Sequence, residues 1–156
     1  MFIYNLFSGF CTPDFEIAWK MSVSKIRGDL LYSCGYTTMQ LPCFNEFHSL
    51  FYRWNGSKYV RSVPANIIEL LTPLAIAIWI MDDGEFYSGL RFNTYRFYDQ
   101  DIALLMEALS TKFGLTCSIH SHPAGSRIYI DSKSLIKIRP QLLPHMVPSM
   151  YYKVGL

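Results

Sequence analysis

The stretch Thr72-Pro73-Leu74-Ala75-Ile76-Ala77-Ile78-Trp79-Ile80-Met81-Asp82-Asp83-Gly84 decides how the chain is read. Thr72 is a favoured N-cap, because its hydroxyl can accept from a free N–H of the first turn, and Pro73 suits the first helical position, where no N–H is needed. The body Leu74–Met81 is apolar on every face, which predicts a helix buried all round. Gly84 is placed to end it. The two acids before that glycine are the informative feature. Carboxylates at a helix C-terminus meet the negative end of the helix dipole. The sequence therefore calls for a compensating cation, and a divalent ion held by one or two carboxylates, water and phosphate oxygens is the natural one. Taken alone, Asp-Asp-Gly also reads as a solvated turn after a helix.

Outward from this helix, short strands alternate with helices. Downstream, Leu90–Phe97 reads as a strand that turns Arg91, Asn93 and Tyr95 onto one face. Asp99 is placed to cap a helix in which Ile102, Leu105, Met106, Leu109 and Phe113 recur at helical spacing, with Gly114 as its stop. Thr116–His122 and Arg127–Asp131 form a hairpin around Pro123-Ala124-Gly125. Ser132–Leu143 is a last helix, bent or closed by Pro140 and Pro144. Upstream, Ile3–Phe10 is the tail of a helix, and 14–41 hold strands with a turn near Arg27–Asp29. Asn45–Trp54 has helical spacing, Asn55-Gly56-Ser57 is a turn, Lys58–Pro64 a linker, and Asn66 the cap of a short turn through Leu70. The two flanks echo each other, and the upstream copy is expected to lack its beginning.

The 156 residues are 51% hydrophobic and 17% charged, with 11 Tyr and 11 Phe. Such a chain is not disordered and can bury a core without staples. The net charge is only +2, so a nucleic-acid surface must come from local segregation of charge. From Lys112 to Leu156 six bases (Lys112, Arg127, Lys133, Lys137, Arg139, Lys153) accompany one acid, Asp131. A solvated helix face accounts for Lys133 and Lys137 equally well. The longest apolar run, Leu70–Met81, is broken by Thr72 and Pro73 and falls short of the roughly 20 residues of a membrane span, so no membrane partner is expected. Met1–Phe10 lacks a basic leader and a small-residue cleavage pattern. Cys11, Cys34, Cys43 and Cys117 have no C-x-x-C spacing and read as reduced core residues. His120 and His122 read as surface histidines in preference to a metal pair.

Ile76 to Gly84 resembles the LAGLIDADG motif of homing endonucleases and intron maturases, and Leu70–Ala75 leading into Trp79–Gly84 resembles the second motif of two-repeat members. Leu90-Arg91-Phe92-Asn93-Thr94, Lys112-Phe113-Gly114-Leu115, Arg127-Ile128-Tyr129-Ile130 and Val147–Lys153 are similar to later landmarks of that family. Tyr4–Phe7, Cys11-Thr12-Pro13 and Phe44–Phe47 fit a first repeat. The resemblance covers nearly the whole chain. It implies an α+β fold, the LAGLIDADG homing-endonuclease fold built of αββαββα repeats. It further implies one complete second repeat, 66–156, and the latter part of a first repeat, 1–65, without its motif helix.

For function, the resemblance implies a site-specific DNA endonuclease that hydrolyses phosphodiesters with Mg2+. Asp83 matches the family's metal-holding acid, with Gly84 beside it, and Asp82 has a less defined role. Lys153 matches a basic residue facing the site, and Lys58 is its first-repeat counterpart. Arg91, Asn93, Tyr95, Arg127 and Lys133 are the expected nucleic-acid contacts; Arg and Asn are the usual bidentate readers of guanine and adenine. Leu74, Ala77, Ile78 and Met81 are the expected motif-helix interface, engaging a second copy or a complementing half. The expected partner is double-stranded DNA, or intron RNA or a ribonucleoprotein, and the expected compartment the mitochondrion ahead of the chloroplast. The alternative is a catalytically inactive, maturase-like RNA-binding protein or a recruited subunit of an organellar ribosome.

Overall fold

The structure, a computed structural model, describes residues 2–12, 18–23 and 28–156. Pro13 and Arg27 lie outside them. Two compact units divide the chain between Glu46 and Phe47, and each is taken by itself.

In the first unit, α1 (Phe2–Phe7) runs into a 3-10 turn at Ser8–Phe10. β1 (Ala18–Val23) and β2 (Leu30–Gly35) pair antiparallel, Met21 opposite Tyr32. A bridge between Cys11 and Thr38 and a 2.8 Å bond from the Met39 N–H to the Phe10 carbonyl tie the ends together. Phe10 packs on Phe44, ring centroids 5.4 Å apart, at the start of α2 (Cys43–Phe51). Cys11 is buried, whereas Cys43 is exposed and Cys117 half-buried. The expectation of core cysteines therefore holds for Cys11 and fails for those two; the Cys34 side chain lies outside the described residues.

The second unit begins differently from the sequence expectation. The helix expected over Asn45–Trp54 stops at Phe51, and the expected linker is a strand: β3 (Tyr52–Trp54) pairs with β4 (Tyr59–Arg61). The reason is local. Asn55 Oδ1 accepts from the N–H groups of Ser57 (3.1 Å) and Lys58 (3.0 Å), and Gly56 has φ +99°. Asn-Gly between β-branched and aromatic residues is a hairpin signal. α3 (Ile67–Leu70) follows; Asn66 precedes it without a side-chain cap bond.

α4 (Pro73–Asp83) forms as expected, with the Thr72 hydroxyl accepting from the Ala75 N–H at 3.1 Å. Gly84 ends it, but in extended conformation and not left-handed. Glycine is needed there for space: a Cβ would lie 2.6 Å from the Ile80 carbonyl oxygen. The chain passes directly into β5 (Gly84–Phe86), then β6 (Leu90–Asn93). β6 is shorter than expected, so Tyr95 sits in the turn beyond it; Thr94 is buried and donates to the Ser126 carbonyl at 2.8 Å. α5 (Asp99–Phe113) begins at Asp99, with Tyr98 at the cap position. Its first-turn acids Asp99 and Asp101 suit the positive end of the dipole, and Gly114 closes it with φ +62°. β7 (Cys117–His122) and β8 (Gly125–Ile130) form the expected hairpin. α6 (Ser132–Leu142) is capped by Asp131, whose carboxylate accepts from the Ser134 N–H at 2.8 Å. A 3-10 helix, Pro148–Val154, ends the fold.

The four-stranded antiparallel sheet has the order β5-β6-β8-β7. Its pairing alternates two faces. Leu90, Phe92, Ile128 and Ile130 lie on one face and are fully buried with Ile76, Ile80, Leu109, Leu135 and Ile138 of the helices. Trp79 stacks on Phe92, centroids 3.7 Å apart. Along the chain the element order is α1-β1-β2-α2-β3-β4-α3, then α4-β5-β6-α5-β7-β8-α6, and the segment from α4 to α6 reads αββαββα.

Candidate active site and nucleic-acid interface

The end of α4 gathers the predicted chemistry. Asp82 and Asp83 are exposed, and the Lys153 ammonium donates to the backbone carbonyls of Met81 (2.7 Å) and Asp82 (3.1 Å). A cation therefore sits on the negative pole of the helix, beside the paired acids. Its own support is extensive. Arg139 donates to the Val154 carbonyl at 2.6 Å, Val154 is fully buried, and Gly155, at φ +77°, leaves just enough room for the Phe86 ring, which a Cβ would meet at 2.6 Å. Arg139 and Gly155 were not predicted. Gly155 carried a legible signal, a glycine after a short basic-ended helix.

The opposite sheet face carries Glu85, Arg91 and Tyr129 in one cross-strand row, and Asn93, Arg127 and His120 in the next. Glu85 pairs with Arg91 at 3.3 Å and with Arg127 at 3.9 Å. The Arg91 guanidinium lies over the Tyr87 ring at 4.1 Å and that of Arg127 over Tyr95 at 5.3 Å. Arg127 Nε also donates to the Tyr95 hydroxyl. His122 stacks on Tyr95 and His120 on Tyr129. Arg91 Nε and Asn93 Oδ1 are buried without a hydrogen-bond partner. The structure thus brings Arg91, Asn93, Tyr95 and Arg127 to one surface. Lys133 is not among them; it is exposed on α6. Lys58 closes the β3–β4 turn through its N–H. Glu85, Tyr87, His120 and Tyr129 belong to the face and were missed, although period-two alternation in both hairpins points to them.

Two expectations change. Ala77 and Met81 are buried in the unit's own core, because their side of α4 packs inward. Leu74 and Ile78 stay half-buried and Ala75 exposed, so α4 is not buried all round. Nearby, an apolar cavity of about 230 Å³ is lined by Phe51, Leu70, Ala75, Trp79, Phe97 and neighbours. The basic C-terminal stretch is also partly engaged: Lys112 donates to the Ile68 and Glu69 carbonyls at the end of α3, at 2.8 and 3.1 Å. Among the described residues no group of three or more His, Cys, Asp or Glu could hold a metal ion, and no helix is long and apolar enough to cross a membrane.

An acid-tipped helix, a cation on its last carbonyls and an arginine-bearing sheet face mark this α+β fold. The chain belongs to the LAGLIDADG DNA endonuclease family, which it matches over residues 1–138. It is 33% identical to the cytochrome b mRNA maturase bI2 of Debaryomyces hansenii, over 99% of this chain and 59% of that protein. It is 34% identical to the intron-encoded endonuclease ai4 of Dictyostelium discoideum, over 99% of both. The chain thus spans about three fifths of the first relative and nearly all of the second. The homing endonuclease I-WcaI, solved bound to its DNA recognition sequence, matches with a TM-score of 0.81 at 22% identity, over 97% of this chain and 68% of that one. The fold is the LAGLIDADG homing-endonuclease fold.

Proposed function

We propose that the chain is a site-specific DNA endonuclease of the LAGLIDADG homing type, hydrolysing a phosphodiester at the end of α4 with Mg2+. The observation that carries the reading is the seat of Lys153: its ammonium rests 2.7 Å from the last-turn carbonyl of Met81, where two exposed carboxylates adjoin an arginine-bearing sheet face. The donor set fits the ion. Asp83, with the backbone of Gly84 and in part Asp82, offers hard oxygens, and Mg2+ takes one or two carboxylates and leaves its other positions to water and phosphate. When bound, Mg2+ supplies charge neutralisation at the phosphate and activation of the attacking water. Lys153 places a fixed positive charge beside the scissile group. Arg91, Asn93, Tyr95 and Arg127 bind the duplex, Lys133 adds a phosphate contact from α6, and Lys58 is the first repeat's basic counterpart.

Among the described residues α4 is the helix that ends in paired acids. Cutting both strands needs a second acid, which a second copy or a complementing segment supplies, seated on Leu74, Ala75 and Ile78. The repeat boundary at 65/66 belongs to the same proposal, as does a mitochondrial site of action, which the cytochrome b maturase relative supports. The test is a duplex spanning the intron-free junction of the encoding gene. Wild type should cut it in Mg2+, and Asp83→Asn should bind it without cutting; equal cleavage by both sinks the reading. A second reading, binding of intron RNA, is favoured by the 33% identity to a maturase over 99% of the chain, and filter binding of the intron transcript tests it.

A further inference from the structure

Glu85 is out of place on a surface that is to meet phosphates. A carboxylate there repels DNA, and its charge offsets one of the two arginines beside it. Yet its carboxylate spans β6, pairing with Arg91 at 3.3 Å and Arg127 at 3.9 Å. Both guanidinium groups also lie over tyrosine rings, Tyr87 and Tyr95. Both arginines are less than a fifth exposed, whereas Glu85 is half exposed. Asn93, opposite Arg127 in the pairing of β6 with β8, has its Oδ1 buried without a partner, as is the Nε of Arg91 itself.

We infer that Glu85 is a positioning residue that fixes Arg91 and Arg127 in one orientation, setting base discrimination at the expense of overall affinity. The inference rests on the DNA-binding reading of this face. A guanidinium free to swing meets any phosphate or acceptor; one held by both a carboxylate and a ring offers its two donors in one direction, which suits the O6 and N7 acceptors of guanine. Rigidity moves the ordering cost ahead of binding. The carboxylate meanwhile lowers sequence-independent attraction.

The test is selection from a library of randomised duplex DNA by wild type and Glu85→Gln, with binding of one unselected duplex followed against salt. Glu85→Gln is expected to bind the unselected duplex more tightly, with a salt slope steeper by about 0.9 for one more neutralised phosphate. Its selected sequences should lose about tenfold of base preference at one or two adjacent positions and keep it elsewhere. A merely structural role would not flatten single positions. An unchanged selected sequence overturns the inference. A swap of preference at one position, away from cytosine, also overturns it, in favour of direct reading of the cytosine amine by the carboxylate. If wild type binds no duplex at all, the reading beneath fails instead, and Glu85 with it.

Discussion

Replacing Lys153 with Met separates the two tasks assigned to the end of α4. The ammonium makes two charge-assisted bonds, to the carbonyls of Met81 and Asp82 at 2.7 and 3.1 Å. A hydrogen bond to a charged group contributes about 1.5–3 kcal/mol, and one of these two is exposed, so the pair together is worth about 2 kcal/mol. The helix-dipole contribution is the same physics and is not added again. Methionine keeps the length and the apolar stem, so the loss is electrostatic. In a unit running Phe47–Leu156, about 2 kcal/mol lowers Tm by about 8 °C. Thermal unfolding followed by circular dichroism measures this. The same substitution made in an Asp82→Asn, Asp83→Asn background should cost about 0.5–1 kcal/mol less, because the cation no longer offsets two carboxylates. A wild-type loss below about 0.5 kcal/mol would refute the cap, since that is the level of a surface substitution. An identical loss in both backgrounds would refute the coupling to the acids.

Gly84→Ala should destabilise by about 2 kcal/mol or more, because the new Cβ meets the backbone of Ile80 at 2.6–2.8 Å and backbone cannot yield cheaply; urea unfolding reads it. Asp101→Ala should cost about 2 kcal/mol by the same assay. It strands the Val63 N–H, bonded at 3.0 Å, while Arg53, more than a third exposed, can rehydrate. Asp131→Ala should cost about 1 kcal/mol at neutral pH. The bonds from Ser134 hold the Asp131 carboxyl below its ordinary 3.8. Its contribution is therefore full above the unfolded value and lost as pH falls through the folded one, so the variant's stability curve should be flatter below about pH 4. Burial, with the charge of Asp131, pushes the Cys117 thiol up to about 11. Iodoacetamide at pH 8 should thus alkylate exposed Cys43 well before Cys117, and mass mapping shows the order.

What was legible followed from patterns that local physics enforces. The Thr72 cap, the Gly114 stop and the hairpin around Pro123-Ala124 each need a residue type at one position, and each is where it was expected. What was illegible depended on partners distant in sequence. Helical spacing carried the reading of Asn45 on to Trp54, three residues past the end of α2, because Tyr52 to Trp54 answer to a strand that follows and not to their own period. Uniform apolarity made α4 look buried on every side; only packing shows that Ala77 and Ile80 face inward while Ala75 does not. In the site, Asp83 and Lys153 were legible as residues, but the bond of Lys153 to carbonyls 71 and 72 positions away has no local signature.

The basic tail shows the same division between type and use. Counted along the chain, its cations suggested one electropositive binding strip. In the fold Lys112, Arg139 and Lys153 each end on backbone carbonyls at helix or 3-10 termini, and Arg127 shares a carboxylate. Their positions are fixed by the backbone and, for Arg127, by a side-chain partner. A mobile lysine brush would bind any polyanion, whereas cations seated on carbonyls present charge at set points. The modest net charge is then consistent with selective recognition, since affinity from bulk attraction would blur the discrimination that Glu85 and its two arginines are arranged to provide.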